Sequence, residues 1–204
     1  MERQRPFKQR PQYWKCRLKN GIFIFRLSHD FLGRDIISKK YQVWFIPGNV
    51  DDVEIMNSYT SSTIKNVDGL LIEYQGTKLG FAGGGVPTPI NARGEISENE
   101  FSKKLNKLQQ ADIICTHAPP YVDELMTDVV TNKIEQGWKS LLDFIKKNHP
   151  QFSLFGDVHQ PKASTWIVHN TKCINTGYFR ATNQYLELSS IERSLSLKSI
   201  IFFE

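Results

Sequence analysis

Cysteine is scarce in this chain and badly placed for structure: Cys16, Cys115 and Cys173 are the only three in 204 residues, odd in number and with no CxxC pair. That excludes a disulfide framework and a thiolate zinc knuckle, and makes a reducing, cytoplasmic compartment the expectation. No apolar run nears the roughly 18 residues that a membrane span needs, and residues 1–20 are too charged for the apolar core of a secretory signal. Internal repeats and low-complexity stretches are missing too. Gly83, Gly84 and Gly85 run into Val86-Pro87 and lack the GK[ST] ending of a phosphate-cradling P-loop, so they read as a strand exit. Aspartate and histidine are both absent from residues 1–20.

What is present is ordinary for one folded domain: 40% hydrophobic, 12% aromatic and 23% charged residues, enough to bury roughly 70% of the unfolded surface. The formal charge of +5 invites a nucleic-acid reading. Its location argues against one. Arg3, Arg5, Lys8, Arg10, Lys15, Arg17 and Lys19 stand against Glu2 alone, so residues 1–20 carry +6 and everything after Asn20 sits near −1. A solvated basic arm over 1–20, broken by Pro6 and Pro11, is expected, followed by a domain over 21–188 and a tail over 189–204.

Beyond Asn20, short β-branched and aromatic runs alternate with segments of helical period, the pattern of an α/β chain. Strands are expected at Ile22–Leu27, Val43–Ile46, Ile113–Cys115 and Phe152–Phe155. Hairpins are expected over Gly69–Ala82, turning near Gln75-Gly76, and between Thr165–Val168 and Lys172–Ile174. One helix should begin at Ser97, where Glu100 completes a capping box, with Phe101, Leu105 and Leu108 facing inward. A second is expected from about Asn132 to Lys147, with Ile134, Trp138, Leu141, Leu142 and Ile145 on one stripe. The apolar Ile200–Phe203 reads equally as an edge strand or a loose tail.

Four expected strands run directly into residues able to hold a metal. Ile22–Leu27 leads to His29 and Asp30, Val43–Ile46 to Asn49 and Asp51, Ile113–Cys115 to His117, and Phe152–Phe155 to Asp157 and His159. Sites in open α/β sheets gather beyond the carboxyl ends of strands, so these loops should converge. Carboxylate, amide and imidazole donors suit manganese, iron, zinc or magnesium. Taken singly, Asn49 after Gly48 is also ordinary turn chemistry, and His117 before Pro119 and Pro120 an ordinary loop histidine.

Pro47-Gly48-Asn49-Val50-Asp51-Asp52, Thr116-His117-Ala118-Pro119-Pro120 and Leu154-Phe155-Gly156-Asp157-Val158-His159-Gln160-Pro161 resemble, in order and spacing, the later motifs of calcineurin-like metallophosphoesterases, whose pattern is DxH, GD, GNH[DE], a lone histidine and GHxH. The resemblance runs from about residue 20 to 188, through Cys173-Ile174-Asn175-Thr176-Gly177-Tyr178-Phe179-Arg180, which looks like the strand and loop following GHxH in small bacterial members. It implies a layered αββα sandwich of mixed sheets flanked by helices, a divalent metal cofactor and a phosphate-ester substrate. Asn49 and His117 match ligands of the family's second metal, and Asp30 its bridging aspartate; these three would be the catalytic set. His159 matches a first-metal ligand. Asp157 stands where the family has another histidine, and its harder anionic oxygen favours Mn²⁺, or Mg²⁺, over Zn²⁺. Arg180 is a candidate to hold a phosphate oxygen with its planar fork.

Two departures bear on activity. DxH has no counterpart in residues 1–20, which leaves Asp30 and His159 alone at the first metal and puts the first strand in question, and Val50 replaces the histidine of GNH[DE]. The leading expectation is a metal-dependent phosphoesterase with one or two ions, acting on a monoester or diester. The alternatives are an inert scaffold of the same fold that binds a protein partner, and the product of a truncated reading frame.

Overall fold

A computed structural model describes residues 15–18, 21–24, 42–176, 184–191 and 194–201. Fourteen strands lie among them: β1 (Lys15–Leu18), β2 (Gly21–Ile24), β3 (Gln42–Phe45), β4 (Ile64–Asn66), β5 (Leu71–Tyr74), β6 (Thr77–Ala82), β7 (Ile113–Thr116), β8 (Thr127–Asp128), β9 (Lys133–Ile134), β10 (Phe152–Phe155), β11 (Thr165–Val168), β12 (Thr171–Asn175), β13 (Gln184–Ile191) and β14 (Ser194–Ile201). Two six-stranded mixed sheets result, one in the order β14-β13-β1-β2-β3-β4 and the other β11-β12-β10-β7-β6-β5. The expected strands at Val43–Ile46, Ile113–Cys115 and Phe152–Phe155 form within a residue of their bounds, Ile22–Ile24 of Ile22–Leu27 lies in β2 with residues 25–27 outside the described ones, and the αββα expectation of mixed sheets with flanking helices holds. The place beside β2 is filled by β1, which pairs antiparallel to β2 and parallel to β13. Of the apolar Ile200–Phe203, Ile200 and Ile201 belong to β14, an edge strand in register with β13 from Gln184↔Ile201 to Ile191↔Ser194, and Phe202 and Phe203 lie outside the described residues.

The residues between the sheets explain why they stack. Ile46, Val67, Leu186 and Leu188 from the first sheet and its loops meet Leu79, Phe81, Ile113, Cys115, Leu154 and Ile174 from the second in one apolar cluster. Trp44 of β3 sets its ring edge-on to Tyr74 of β5 at 5.8 Å and to Phe81 of β6 at 6.0 Å, the geometry in which aromatic quadrupoles attract. Ile113 to Thr116 are buried throughout, which is why β7 reads as an unbroken apolar run with no alternation. β6, β7, β10 and β12 are mutually parallel, as are β2, β3 and β4, so several strand exits point one way. The hairpin between β5 and β6 turns at Gln75-Gly76 with φ of 50° and 76°, the double left-handed geometry of a tight two-residue turn.

Helices α1 (Val53–Ser58), α2 (Glu98–Leu105), α3 (Asp123–Met126) and α4 (Lys139–Asn148) complete the described elements. The capping box at Ser97 forms as expected, and Phe101, Leu105 and Leu108 are buried against the outer face of the second sheet. The second expected helix is corrected. It starts at Lys139, not Asn132; Asn132 has a φ of 53°, and Lys133–Ile134 is a strand paired with Thr127–Asp128. Ile134 is therefore exposed, off the stripe that its spacing implied. Gly137 is the physical reason: a Cβ there would strike the Met126 side chain and the Pro120 carbonyl, so the chain passes this point extended against α3. Trp138 ends up as the residue preceding α4, and its ring stacks on Phe101 at 4.1 Å with 5° between planes. Glu98 reaches across from α2 to accept the Ser140 N–H, supplying the cap that α4 lacks of its own.

Trp138 also pairs by backbone with Pro119 and Tyr121, so it carries the segment after His117. Trp138→Ala should cost about 3–5 kcal/mol by the truncation of a buried aromatic, read as a shift in urea midpoint. A loss under about 1 kcal/mol would refute its place in the core.

Candidate metal centre

Three strand exits meet because glycines let their backbones touch. β3 leaves into Pro47-Gly48-Asn49, β6 into Gly83-Gly84-Gly85, and β7 into His117. A Cβ on Gly48 would stand 2.7 Å from Cε1 and 2.9 Å from Nδ1 of His117, so the imidazole lies flat on the Gly48 backbone. A Cβ on Gly85 would run into Asn49, and the Gly84 N–H donates to the Pro47 carbonyl at 2.8 Å. The glycine triplet is thus a close-packed strand exit, as its missing GK[ST] implied. Asp51, buried beneath the turn, accepts the Gly48 N–H at 2.7 Å and fixes its curvature. The exits of β7 and β10 are joined by the Gly156 N–H donating to the His117 carbonyl at 2.9 Å.

Into this junction point polar atoms that the protein does not satisfy. The Oδ1 of Asn49 and both ring nitrogens of His117 are buried without a hydrogen-bond partner among the described residues, and His117 is 1% exposed. Leaving each such atom unpaired costs about 1–3 kcal/mol. The Asp157 Oδ1 comes within 3.2 Å of His117 Nε2 without hydrogen-bond geometry. An amide oxygen, a carboxylate and the one lone-pair nitrogen of a neutral imidazole are donor types that a divalent cation accepts, so the chemistry of these side chains is compatible with one. Asp157 itself has a φ of 68°, a left-handed conformation that aspartate tolerates better than most residues and that tends to mark functional sites. His159 is half-buried two residues on. Among the described residues no three His, Cys, Asp or Glu side chains cluster as a metal site. Asp30 and Arg180, with His29, lie outside the described residues.

The surroundings are acidic. Burial raises the Glu135 carboxyl above its ordinary range, and the charges of Asp157 and Asp128 raise it further. Burial works to raise Glu95 as well, but the Thr88 hydroxyl and N–H outweigh it and hold Glu95 low, with Asp157 opposing. Cys115 and Cys173 are buried free thiols, and burial pushes Cys173 up to about 12, so it offers no thiolate.

Sequence reasoning missed what holds the Asp157 loop. The buried Asp128 accepts the N–H groups of Val130, Thr131 and Gln160, and the Val129 N–H donates back to the Gln160 carbonyl. Asp128 with Thr131 three residues on is the signature of a side-chain-closed turn, just ahead of the stretch expected to become helix.

A family model for calcineurin-like phosphoesterases matches residues 20–161. The chain belongs to that family. No curated protein matches it significantly. Among solved structures it is similar to TT1561 of Thermus thermophilus, at 15% identity and a TM-score of 0.57 over 94% of this chain and 99% of that one. A second solved structure aligns at 16% identity and a TM-score of 0.56, over 83% of this chain and 69% of its own. At such identities the likeness speaks for the fold. Calcineurin-like phosphoesterases bind divalent metals and hydrolyse phosphate esters, and the orphaned donors occupy the strand exits where the matched motifs fall. Among the described residues no helix is long and apolar enough to cross a membrane.

Two outcomes are expected of this phosphoesterase centre. Gly48→Ala should keep the native circular dichroism yet lose most of the Mn²⁺-induced rise in Tm, since its methyl displaces the His117 ring; a rise equal to wild type would refute the contact. Asp128 is held below its usual 3.8 by the Thr131 N–H first, against burial, and then by Gln160 and Val130. A depressed carboxyl stabilises the fold above its unfolded value and loses that contribution as pH falls through the folded one. The Tm difference between wild type and Asp128→Asn should therefore be full at pH 7 and shrink below about pH 4; a difference independent of pH would show that the charge is not what holds the loop.

Proposed function

We propose that the chain is a metal-dependent phosphoesterase that cleaves a phosphomonoester or phosphodiester with water, using Mn²⁺ as its preferred ion, in the cytoplasm. The observation that carries the reading is the convergence of Asn49 Oδ1 and the two His117 nitrogens, buried and unpaired, on the junction that Asp157 borders. Asn49, His117 and Asp157 would hold the ion, with His159 and Asp30 as the remaining candidates of the ligand set. When bound, such an ion supplies an activated water near neutral pH and offsets charge on the phosphoryl oxygens. The chain's own part is positional. Gly48 presses the imidazole into one orientation, Asp51 holds the turn that presents Asn49, and Asp128 steadies the loop of Asp157. The anionic Asp157 and the neighbouring Glu95 and Glu135 favour a hard, oxygen-seeking cation.

A second reading has one observation in its favour. The 3.2 Å approach of Asp157 to His117 is also an ion pair when the imidazole is protonated, and an inert scaffold would keep that pair in place of a metal. One experiment separates the two. Purified protein loaded with Mn²⁺ should retain one or two ions, show a raised Tm and turn over bis-p-nitrophenyl phosphate, with the Tm rise and turnover both lost in Asn49→Ala and His117→Ala. A folded protein with no retained metal and no turnover, or an unchanged Mn²⁺ response in both variants, would favour the scaffold.

A further inference from the structure

Four loops build the junction: 46–52, 83–96, 117–122 and 156–161. Together they carry Asp51, Asp52, Glu95 and Asp157 but no lysine, and Arg93 is their single permanent cation. Arg93 is also the only arginine anywhere in residues 42–176. Its position is tightly set by backbone. The next residue, Gly94, donates its N–H to the Asn49 carbonyl at 3.0 Å, and a Cβ there would collide with the Gly48 carbonyl and stand 3.0 Å from that of Asp51. Glu95, one residue further, feels the charge of Asp157. The residue after Arg93 is thus hydrogen-bonded to the turn that carries Asn49, and the second residue after it senses the charge of Asp157.

Its guanidinium is held by one corner. Nη1 donates to the Asp52 Oδ2 at 2.7 Å, while the side chain remains 75% exposed. An ion pair so exposed contributes little to stability, about 0–1 kcal/mol, so anchoring the loop does not account for the charge. Asp52 is itself fixed, because it caps α1 through the N–H groups of Glu54 and Ile55. A carboxylate that holds one nitrogen of the fork orients the others, and a planar guanidinium fork is the side chain best matched to two oxygens of a phosphate.

We propose that Arg93 is the substrate-binding residue that holds the non-bridging oxygens of the phosphate ester, oriented for that role by Asp52. The proposal rests on the phosphoesterase reading of the adjacent centre and adds to it the group that selects an anionic ester. No bond to Arg93 forms or breaks; it binds charge and geometry. Asp52 is a positioning residue.

The test uses the full chain loaded with Mn²⁺, with inorganic phosphate as probe and bis-p-nitrophenyl phosphate as substrate. Arg93→Gln should weaken phosphate binding by about ten- to a hundredfold, the scale of a charge-assisted fork, as measured by the phosphate-induced rise in Tm and by competitive inhibition. KM should rise in step, while Mn²⁺ retention and the Tm without phosphate stay at wild-type values. Arg93→Lys should restore only part of the affinity, because a point charge lacks the fork. Phosphate affinity within twofold of wild type in Arg93→Gln, or a loss of metal retention equal to the loss of phosphate, would overturn the proposal. The thermal readout needs no turnover. Arg93-dependent phosphate binding in a protein that hydrolyses nothing would sink the hydrolase reading and keep this inference; turnover with phosphate binding indifferent to Arg93 would do the reverse.

Discussion

The face-on contact between the His117 ring and the Gly48 backbone is the constraint on which the junction of the two sheets depends. It joins the exit of a strand in one sheet to the exit of a strand in the other, and it exists only because position 48 has no side chain. For the two exits to come so close, the sheets must stack face to face, which the cluster around Phe81, Ile113 and Leu154 achieves by burying apolar area on both inner faces. The same closeness requires Gly85 beneath Asn49 and Gly94 against Gly48. A larger residue at any of these positions would separate the backbones and scatter the donors. The apolar core between the sheets and the polar junction at their end are thus one arrangement seen at two places.

Polar satisfaction divides the residues of the junction into two groups. Asp51, Asp128 and Thr116 are buried with their bonds made to N–H groups or a carbonyl of the loops, and they act as braces. Asn49 and His117 are buried with theirs unmade, as are Trp138 Nε1 and the hydroxyls of Ser140 and Ser153 elsewhere, but only the first two lie at strand exits. Acidic side chains dominate the four loops, with Arg93, paired to Asp52, as their single permanent cation.

How much of this was legible in advance varied with the range of the forces involved. The strands of the second sheet were plain, since a central parallel strand such as β7 is buried throughout and so carries an unbroken apolar run, Ile113–Cys115. The capping box at Ser97 was equally plain, because both partners lie within one turn. The helix over 132–147 was misjudged at its start: Ile134 and Trp138 fall on a helical stripe by spacing, but the crowding of Gly137 against Met126 and Pro120 comes from residues well outside that helical window. The local half of Asp128's turn, to Val130 and Thr131, was overlooked, whereas its bond to Gln160, 32 residues away, was not readable from local pattern.

The amino-acid sequence by itself determined the α/β class, the order in which strands lead to Asn49, His117, Asp157 and His159, and the glycines that flank them, because periodicity, turn chemistry and motif spacing are local properties. Tertiary structure alone decided which of those residues meet. It buried Asn49 Oδ1 and the His117 nitrogens without partners, set Asp157 beside the imidazole, and hydrogen-bonded Gly94, the residue after Arg93, to the turn that carries Asn49. Convergence of that kind depends on how closely two sheets can stack, and the stacking distance is fixed by contacts between residues far apart in the chain.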